Sequence, residues 1–220
     1  MSPTKPLAWL AAGALLLALG LRLPEVALPG SWLGLLFVLH GWRGMPVRPG
    51  LPSLAVALYA MLAVGNRGSL PVRGPAYFAL VAAMTVMALA PFVVERWVRA
   101  RRPGPASTLA FPLALVAQEF LRSRIPNGPA TWGSLAYTQY GNLPLMQLAA
   151  LTGIWGITFL VAWFASTVDW AWERGFEPGT VRPLAVYAGV LAAVMGAGAL
   201  RLALAPSPSA ARRTSHSWPP

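Results

Sequence analysis

Long apolar runs alternate with short polar stretches along the chain, and the runs have helical rather than strand character. Ala and Leu dominate them, and no sustained two-residue alternation occurs. This pattern predicts an all-α fold, a polytopic membrane bundle of about seven transmembrane helices over residues 1–205. The seven apolar segments are Leu7–Leu21, Val26–Leu39, Leu51–Gly65, Pro75–Val94, Ala106–Leu121, Pro144–Val168 and Pro183–Ala205.

Segment length decides how well each prediction is supported. A helix perpendicular to the bilayer needs about 20 residues to cross the hydrocarbon core. The fourth, sixth and seventh segments are long enough, whereas the first three must include flanking residues such as Trp42. On the last segment, small residues recur every four positions from Ala185 to Ala197, which predicts one face packed closely against a neighbouring helix.

The two ends of the chain differ from the segments between them. Lys5 precedes the first apolar segment as in a signal peptide, but no clean cleavage motif follows, so we expect a retained helix. Residues 206–220 are rich in Pro, Ser and Arg and are predicted to be a disordered tail.

The composition favours a bilayer over water as the solvent. Only 10% of the 220 residues are charged and 56% are hydrophobic, whereas a soluble domain carries charge on roughly a quarter of its residues. The net charge of +11 comes from basic residues between the apolar segments, and no basic patch with interleaved aromatics stands apart, so we expect no nucleic-acid partner. The absence of cysteine excludes disulfides, cysteine nucleophiles and thiolate metal sites within these residues. We expect no metal and no cofactor.

Basic residues also predict an orientation. The densest cluster, from Arg96 to Arg102, follows the fourth segment and is expected on the cytoplasmic side. This places the amino terminus in the cytoplasm and, with seven spans, the carboxyl terminus outside a bacterial inner membrane.

Residues 119–141 form the longest polar interruption of the body of the chain. Glu119 is at the end of a membrane segment, with Arg122 three residues later on the same helical face, and a carboxylate at this depth must be paired or face water. The two residues either form an ion pair that anchors the helix end or line a polar mouth beside a lipid-facing cavity. Beyond them, Pro126, Gly128 and Pro129 prevent the helix from continuing.

The loop that follows is aromatic and amide-rich. Trp132, Tyr137, Gln139 and Tyr140 suit phospholipid headgroups and acyl carbonyls, and equally suit simple interfacial anchoring. Elsewhere, His40 is interpreted as interfacial, and Asp169 and Glu173 as part of a solvated face. The chain contains no G-x-S-x-G elbow, P-loop or H-E-x-x-H motif, so no catalytic residue is assigned.

The stretch from Gln118 to Trp163 resembles the corresponding region of bacterial apolipoprotein N-acyltransferase. The likeness rests on a Glu-x-x-Arg helix end, a Gly-bearing turn to a Trp, a Gln, a Gln-x-Ala run and a Gly-bearing helix ending in Phe-Leu. One departure is the sequence GPATW, where the family usually has a Phe-Pro-Trp-like turn. The matching residues are Glu119, Arg122, Gly128, Trp132, Gln139, Gln147, Gly153, Gly156, Phe159 and Leu160.

The resemblance implies an inner-membrane enzyme that moves an acyl chain from phospholipid to a lipoprotein. In that family a nitrilase-like domain with a Glu, Lys and Cys triad follows the membrane bundle, but these residues hold no cysteine and only one lysine, Lys5. We therefore expect the membrane domain alone, inactive by itself, working with a separately encoded nitrilase-like protein or truncated. The candidate lipid-binding residues are Glu119, Arg122, Trp132, Tyr137 and Gln139.

Two other classes of function stay open at this point. The chain is alternatively a non-catalytic membrane scaffold or lipid-binding bundle, and more remotely a transporter, although no internal repeat supports that class. A nitrilase-like reading frame directly downstream in the DNA favours the acyltransferase interpretation, and its absence favours the scaffold.

Overall fold

The computed structural model describes residues 4–125 and 131–205, and these are helical with no β-strand. The predicted tail, 206–220, and Pro126, Gly128 and Pro129 lie outside the described residues. The α-helices are α1 Thr4–Gly20, α2 Pro24–Arg43, α3 Val47–Gly65, α4 Pro75–Arg101, α5 Ala110–Ser123, α6 Leu143–Met146, α7 Ala149–Thr152, α8 Ile154–Trp172 and α9 Val181–Ala203. Short 3-10 helices cover Pro105–Leu109, Leu135–Gln139 and Pro178–Thr180.

The all-α prediction is confirmed, whereas the number of membrane spans is established only in part. Among the described residues, four helical stretches are both long and apolar enough to cross a membrane: Val47–Gly65, Pro75–Arg101, Ile154–Trp172 and Pro178–Ala203. α1 has 17 residues and α5 has 14, which is less than a perpendicular crossing requires. The chain is thus a helical membrane protein with at least these four candidate spans.

The sixth apolar segment does not form the single helix that its hydropathy predicts. It divides into α6, α7 and α8, and the last break is at Gly153, whose φ of 63° and ψ of −166° suit only glycine. Hydropathy averages over this break because every residue around it is apolar or small.

Helices α1 and α2 form a hairpin whose backbones lie very close together. A Cβ atom at Gly13 of α1 would be 2.6 Å from the backbone oxygen of Gly34, and one at Gly41 of α2 would be 2.6 Å from that of Pro6. Any larger residue at either position would push the helices apart, so the glycines set the separation of this pair.

Helix α8 occupies the centre of the bundle. Its Ala162 and Ala165 are fully buried and pack in one apolar core with Leu39, Leu54 and Phe111, which come from α2, α3 and α5. Helix α9 lies at the periphery, where only Tyr187 and Gly198 are buried. The small residues of α9, including Ala185 and Gly189, are exposed, so their predicted packing against a neighbouring helix is wrong for the described residues.

Candidate functional site

The polar interruption folds as a loop, residues 131–141, that closes over the end of α5. Gly133 and Gly141 have φ values of 72° and 93°, which turn the backbone at the two ends of the 3-10 helix Leu135–Gln139. Ser134 caps this short helix, since its Oγ accepts a hydrogen bond from the backbone N–H of Ala136. The loop is therefore an ordered element that presents side chains to α5 and α8.

Glu119, on α5, holds the loop in place. Its Oε1 accepts a hydrogen bond from the backbone N–H of Leu135 at 2.9 Å. Its Oε2 accepts hydrogen bonds from Ser134 Oγ at 2.8 Å and from Thr158 Oγ1, on α8, at 2.9 Å. The carboxylate is 4% exposed, and three donors from two elements compensate its removal from water.

The ion pair considered for Glu119 and Arg122 is not formed. No salt bridge joins the two residues, although both are described and lie on one face of α5. The first of the two alternatives, an ion pair at the helix end, is wrong, because the folded loop and α8 supply hydroxyl and amide donors to Glu119. Ser134 was missed as a partner because it lies 15 residues from Glu119 in the sequence.

Arg122 is buried without a counter-charge. It is 9% exposed, and its Nε is fully buried with no hydrogen-bond acceptor among the described residues. Its Nη1 lies beside Gly133, where an added Cβ would be 3.8 Å away. Such a cation is costly in an apolar environment unless an anion or water satisfies it.

The other three candidate lipid-binding residues divide into two environments. Gln139 is fully buried and joins the loop to α2: its Oε1 accepts from Trp32 Nε1 at 2.8 Å and its Nε2 donates to Ser31 Oγ at 2.8 Å. Trp132 and Tyr137 are about half exposed, and the Tyr137 hydroxyl bonds to Thr131 Oγ1 at 2.7 Å. Gln139 thus has the environment of a structural residue, whereas the two aromatic rings face outward.

A cavity of about 160 Å³ lies beside Glu119 and Arg122. Most of its wall is aliphatic, sulfur-containing or aromatic, including Leu58, Met84 and Phe111. The polar part of the wall comes from α5, α2 and the loop, namely Gln118, Glu119, Arg122, Ser31, Ser134 and Thr138. Of the five candidate lipid-binding residues, the fold brings Glu119 and Arg122 to this cavity; Trp132, Tyr137 and Gln139 are not among its lining residues.

A second polar cluster, which the sequence analysis missed, is buried near the other end of α8. Arg43 of α2 donates from Nη1 to Asp169 Oδ2 at 2.6 Å and from Nη2 to Glu95 Oε1 at 2.8 Å. The carboxyl groups of Glu95 and Asp169 are completely buried, and the Arg43 side chain is 4% exposed. His40 completes the group, with its Nδ1 2.6 Å from Asp169 Oδ1. We call His40, Arg43, Glu95 and Asp169 the buried charge cluster.

The cluster corrects two interpretations of single residues. Asp169 is not part of a solvated face, because it is fully buried and bonded to His40 and Arg43 of α2. His40 is not simply interfacial, since its ring stacks on Trp172 at 4.3 Å and bonds to Asp169. A carboxylate at the end of a membrane segment needs a partner or contact with water, and that rule was the available signal for Glu95 and Asp169. Within the described ranges, no group of three or more His, Asp or Glu is arranged to hold a metal ion.

Comparison with known proteins gives a consistent result over most of the chain. Residues 3–167 match the family described as apolipoprotein N-acyltransferase N-terminal domain. Among curated proteins, the chain is 34% identical over 192 residues to an apolipoprotein N-acyltransferase of Geobacter metallireducens, covering 86% of this chain and 33% of that protein. It is 33% identical over 213 residues to the apolipoprotein N-acyltransferase of Rhodopseudomonas palustris, covering 93% of this chain and 35% of that one.

A third relative, an apolipoprotein N-acyltransferase of Bradyrhizobium diazoefficiens, is 30% identical over 186 residues, which are 84% of this chain and 32% of the relative. The chain therefore spans about a third of the length of the curated relatives it matches. No solved structure matches it significantly.

Proposed function

Because the chain belongs to the apolipoprotein N-acyltransferase N-terminal domain family, we propose that it is the membrane domain of an apolipoprotein N-acyltransferase-like protein. In this role it binds the phospholipid that donates an acyl chain for lipoprotein N-acylation in a bacterial inner membrane. The observation that carries the proposal is the family match over residues 3–167, which includes α5, the polar loop and most of α8.

The cavity beside the loop supports a lipid-binding role. Its wall is mainly apolar, as an acyl chain requires, and its polar groups are concentrated on α5 and the loop. Trp132 and Tyr137 are exposed on the same loop, where amphipathic rings suit the headgroup region of a bilayer. In this proposal Glu119 and Gln139 position the loop, while Arg122 and the aromatic rings contact lipid.

We further propose that these 220 residues alone transfer no acyl group. They contain no cysteine, and the family's reaction, as the resemblance implies, proceeds through a thiolate that receives the acyl chain. Ser134 has a carboxylate partner in Glu119, but Glu119 also accepts from Thr158 and Leu135, and Ser134 is 3% exposed. The nucleophile then belongs to a nitrilase-like domain supplied from outside these residues.

Labelled phospholipid and a diacylated lipopeptide test this proposal. We expect the purified chain to give only background product, and the chain together with a nitrilase-like domain from a relative to give acylated peptide. Turnover by the chain alone that is lost on Ser134→Ala would contradict the proposal and identify Ser134 as a nucleophile.

A lipid-binding bundle without any acyltransferase partner is the second candidate function. The specific observation in its favour is the same absence of cysteine, since such a role needs only the cavity. The two functions differ in one result: a lipid-binding bundle binds phospholipid but gives no product with any nitrilase-like domain.

The proposed orientation keeps the amino terminus in the cytoplasm and the carboxyl terminus outside, with α1, α2, α3, α4, α5, α8 and α9 as the seven crossings. The buried charge cluster supports this arrangement because it joins the carboxyl-terminal ends of α2, α4 and α8, which must lie on one side. The arginines from Arg96 to Arg102 favour the cytoplasm for that side. Reporter fusions after Arg102 and after Pro206 are expected on opposite sides, and finding them on one side would refute the seven crossings.

A further inference from the structure

The guanidinium of Arg122 is buried and is not fully hydrogen-bonded within the described residues. Nine-tenths of the residue is inaccessible, Nε has no acceptor, and no carboxylate among the described residues forms an ion pair with it. A second deeply buried arginine side chain, that of Arg43, is held by Glu95 and Asp169. A cation left in this state destabilises the empty protein, and an anion bound from outside would remove that penalty.

The nearby carboxylate does not take this role. Both oxygens of Glu119 are engaged, one by the Leu135 amide and the other by two hydroxyl groups. Turning Glu119 toward Arg122 would break the hydrogen bonds that fix the loop. The positive charge of Arg122 is therefore available to a ligand.

The cavity beside Arg122 has an apolar part and a charged part. Phe111, Leu115, Glu119 and Arg122 line it from one face of α5. Phe111 and Arg122 are eleven residues apart, which is about 16 Å along a helix. The lining thus changes from apolar near the start of α5 to charged near its end, over a length that suits part of an acyl chain and the polar group attached to it.

We propose that Arg122 binds the oxyanion of a lipid whose chain lies in this cavity. This inference rests on the proposed function and deepens it by naming the side chain that recognises the lipid's charge. The planar fork of a guanidinium fits two oxygens of a phosphate or a carboxylate, which a lysine ammonium does not. A phospholipid phosphate and a fatty-acid carboxylate share this chemistry, and the experiment separates them.

The experiment measures lipid binding by native mass spectrometry of the purified chain in detergent. The probes are dioleoylphosphatidylglycerol, sodium oleate, inorganic phosphate and dioleoylglycerol, which lacks an anionic group. We expect Arg122→Gln to weaken phosphatidylglycerol binding at least about tenfold and to leave dioleoylglycerol binding unchanged. Arg122→Lys should retain part of the affinity.

Two further variants make the result specific. Arg124→Gln is the matched control, because Arg124 lies over the Phe120 ring and does not line the cavity, and its effect should stay within about twofold. Leu115→Trp fills the apolar part of the cavity and should weaken the binding of both glycerolipids. The melting temperature of Arg122→Gln in the absence of lipid should not fall below that of the wild type.

Each other outcome is decisive. Unchanged phosphatidylglycerol binding by Arg122→Gln overturns the inference but leaves the proposed function standing. An equal loss of affinity for phosphatidylglycerol and for dioleoylglycerol also overturns it, because the variant would then have changed the shape of the cavity rather than its charge. If oleate binds instead of phosphatidylglycerol, and its binding depends on Arg122, the inference is supported. The same result contradicts the proposal that the acyl donor is a phospholipid. The inference is overturned if inorganic phosphate binds as tightly as lipid, or if the wild type binds no lipid. The second of these results contradicts the proposed function as well.

Discussion

Two buried polar regions lie near opposite ends of α8, and they use their arginines in different ways. Thr158 belongs to the region at Glu119 and Asp169 to the buried charge cluster, and the two residues are about 16 Å apart along the helix. In the cluster, Arg43 bonds to carboxylates from two other helices. In the other region, hydroxyl and amide groups satisfy the carboxylate, and Arg122 has no ionic partner among the described residues.

The difference separates structural stabilisation from ligand binding. Arg43, with its partners inside the protein, fixes the relative positions of α2, α4 and α8 and leaves little charge for a ligand. Arg122 has no such ionic partner among the described residues, and we propose that its charge is met by a bound lipid. Substitution by Met should therefore destabilise the protein strongly at Arg43 and change its stability little at Arg122.

Arg43→Met is expected to have the largest effect. It leaves Glu95 and Asp169 buried without their cation, and breaking a buried pair in this way costs about 3–5 kcal/mol. The free energy of unfolding, measured by SDS titration in mixed micelles, checks this. Arg48→Met, at an exposed arginine, is the control.

The triple variant Arg43→Met, Glu95→Gln, Asp169→Asn removes the stranded charges and should recover much of the loss. If it is as unstable as Arg43→Met alone, packing rather than charge pairing holds this end of the bundle.

Glu119→Gln is expected to have the next largest effect. The amide keeps one oxygen acceptor, replaces the other with an NH2 donor and carries no charge. The loop therefore loses charge-assisted hydrogen bonds worth about 1–3 kcal/mol in total. Hydrogen exchange should become faster at the Leu135 amide and stay unchanged at amides of the buried charge cluster. Equal acceleration at both ends of α8 would show that the two regions are not independent.

Ser134→Ala should have a smaller effect of the same kind. It removes one donor to Glu119 and the cap of the 3-10 helix, with an expected loss of about 1 kcal/mol. Thermal unfolding in detergent measures it, with Ser123→Ala, an exposed hydroxyl on α5, as the control. A loss as large as that of Glu119→Gln would mean that Ser134 carries most of the interaction.

Arg122→Met should have the smallest effect on stability, with a change of at most about 0.5 kcal/mol or a gain, because no buried acid loses a partner. The same SDS titration as for Arg43→Met measures it. A loss of the size expected for Arg43→Met would contradict the contrast between the two arginines.

The sequence predicted the elements of this fold better than its polar contacts. The apolar segments predicted most of the helices, because a run of apolar residues is visible in the local sequence alone. The break at Gly153 was missed because it depends on one backbone conformation inside an apolar run. The helix that lies at the centre could not be identified either, since α8 and α9 are both long and apolar but differ greatly in burial.

The sequence predicted where the candidate site lies but not which residues contact one another in it. Its polar residues stood out against an apolar background, so Glu119 and Arg122 were singled out. Their partners were not, because Ser134 and Thr158 approach only when the loop folds back onto α5 and α8. Glu95 was not singled out and Asp169 was assigned to a solvated face, because their common partner, Arg43, is on a third helix.

The close α1–α2 hairpin implies an order of events during synthesis. Only three residues separate the two helices, so bringing them together costs little loop entropy, and their contacts at Gly13 and Gly41 involve no later helix. The pair can thus form as soon as α2 has emerged from the ribosome. The buried charge cluster must wait for α8 to supply Asp169, and until then Arg43 depends on water, lipid phosphates or Glu95 for its charge.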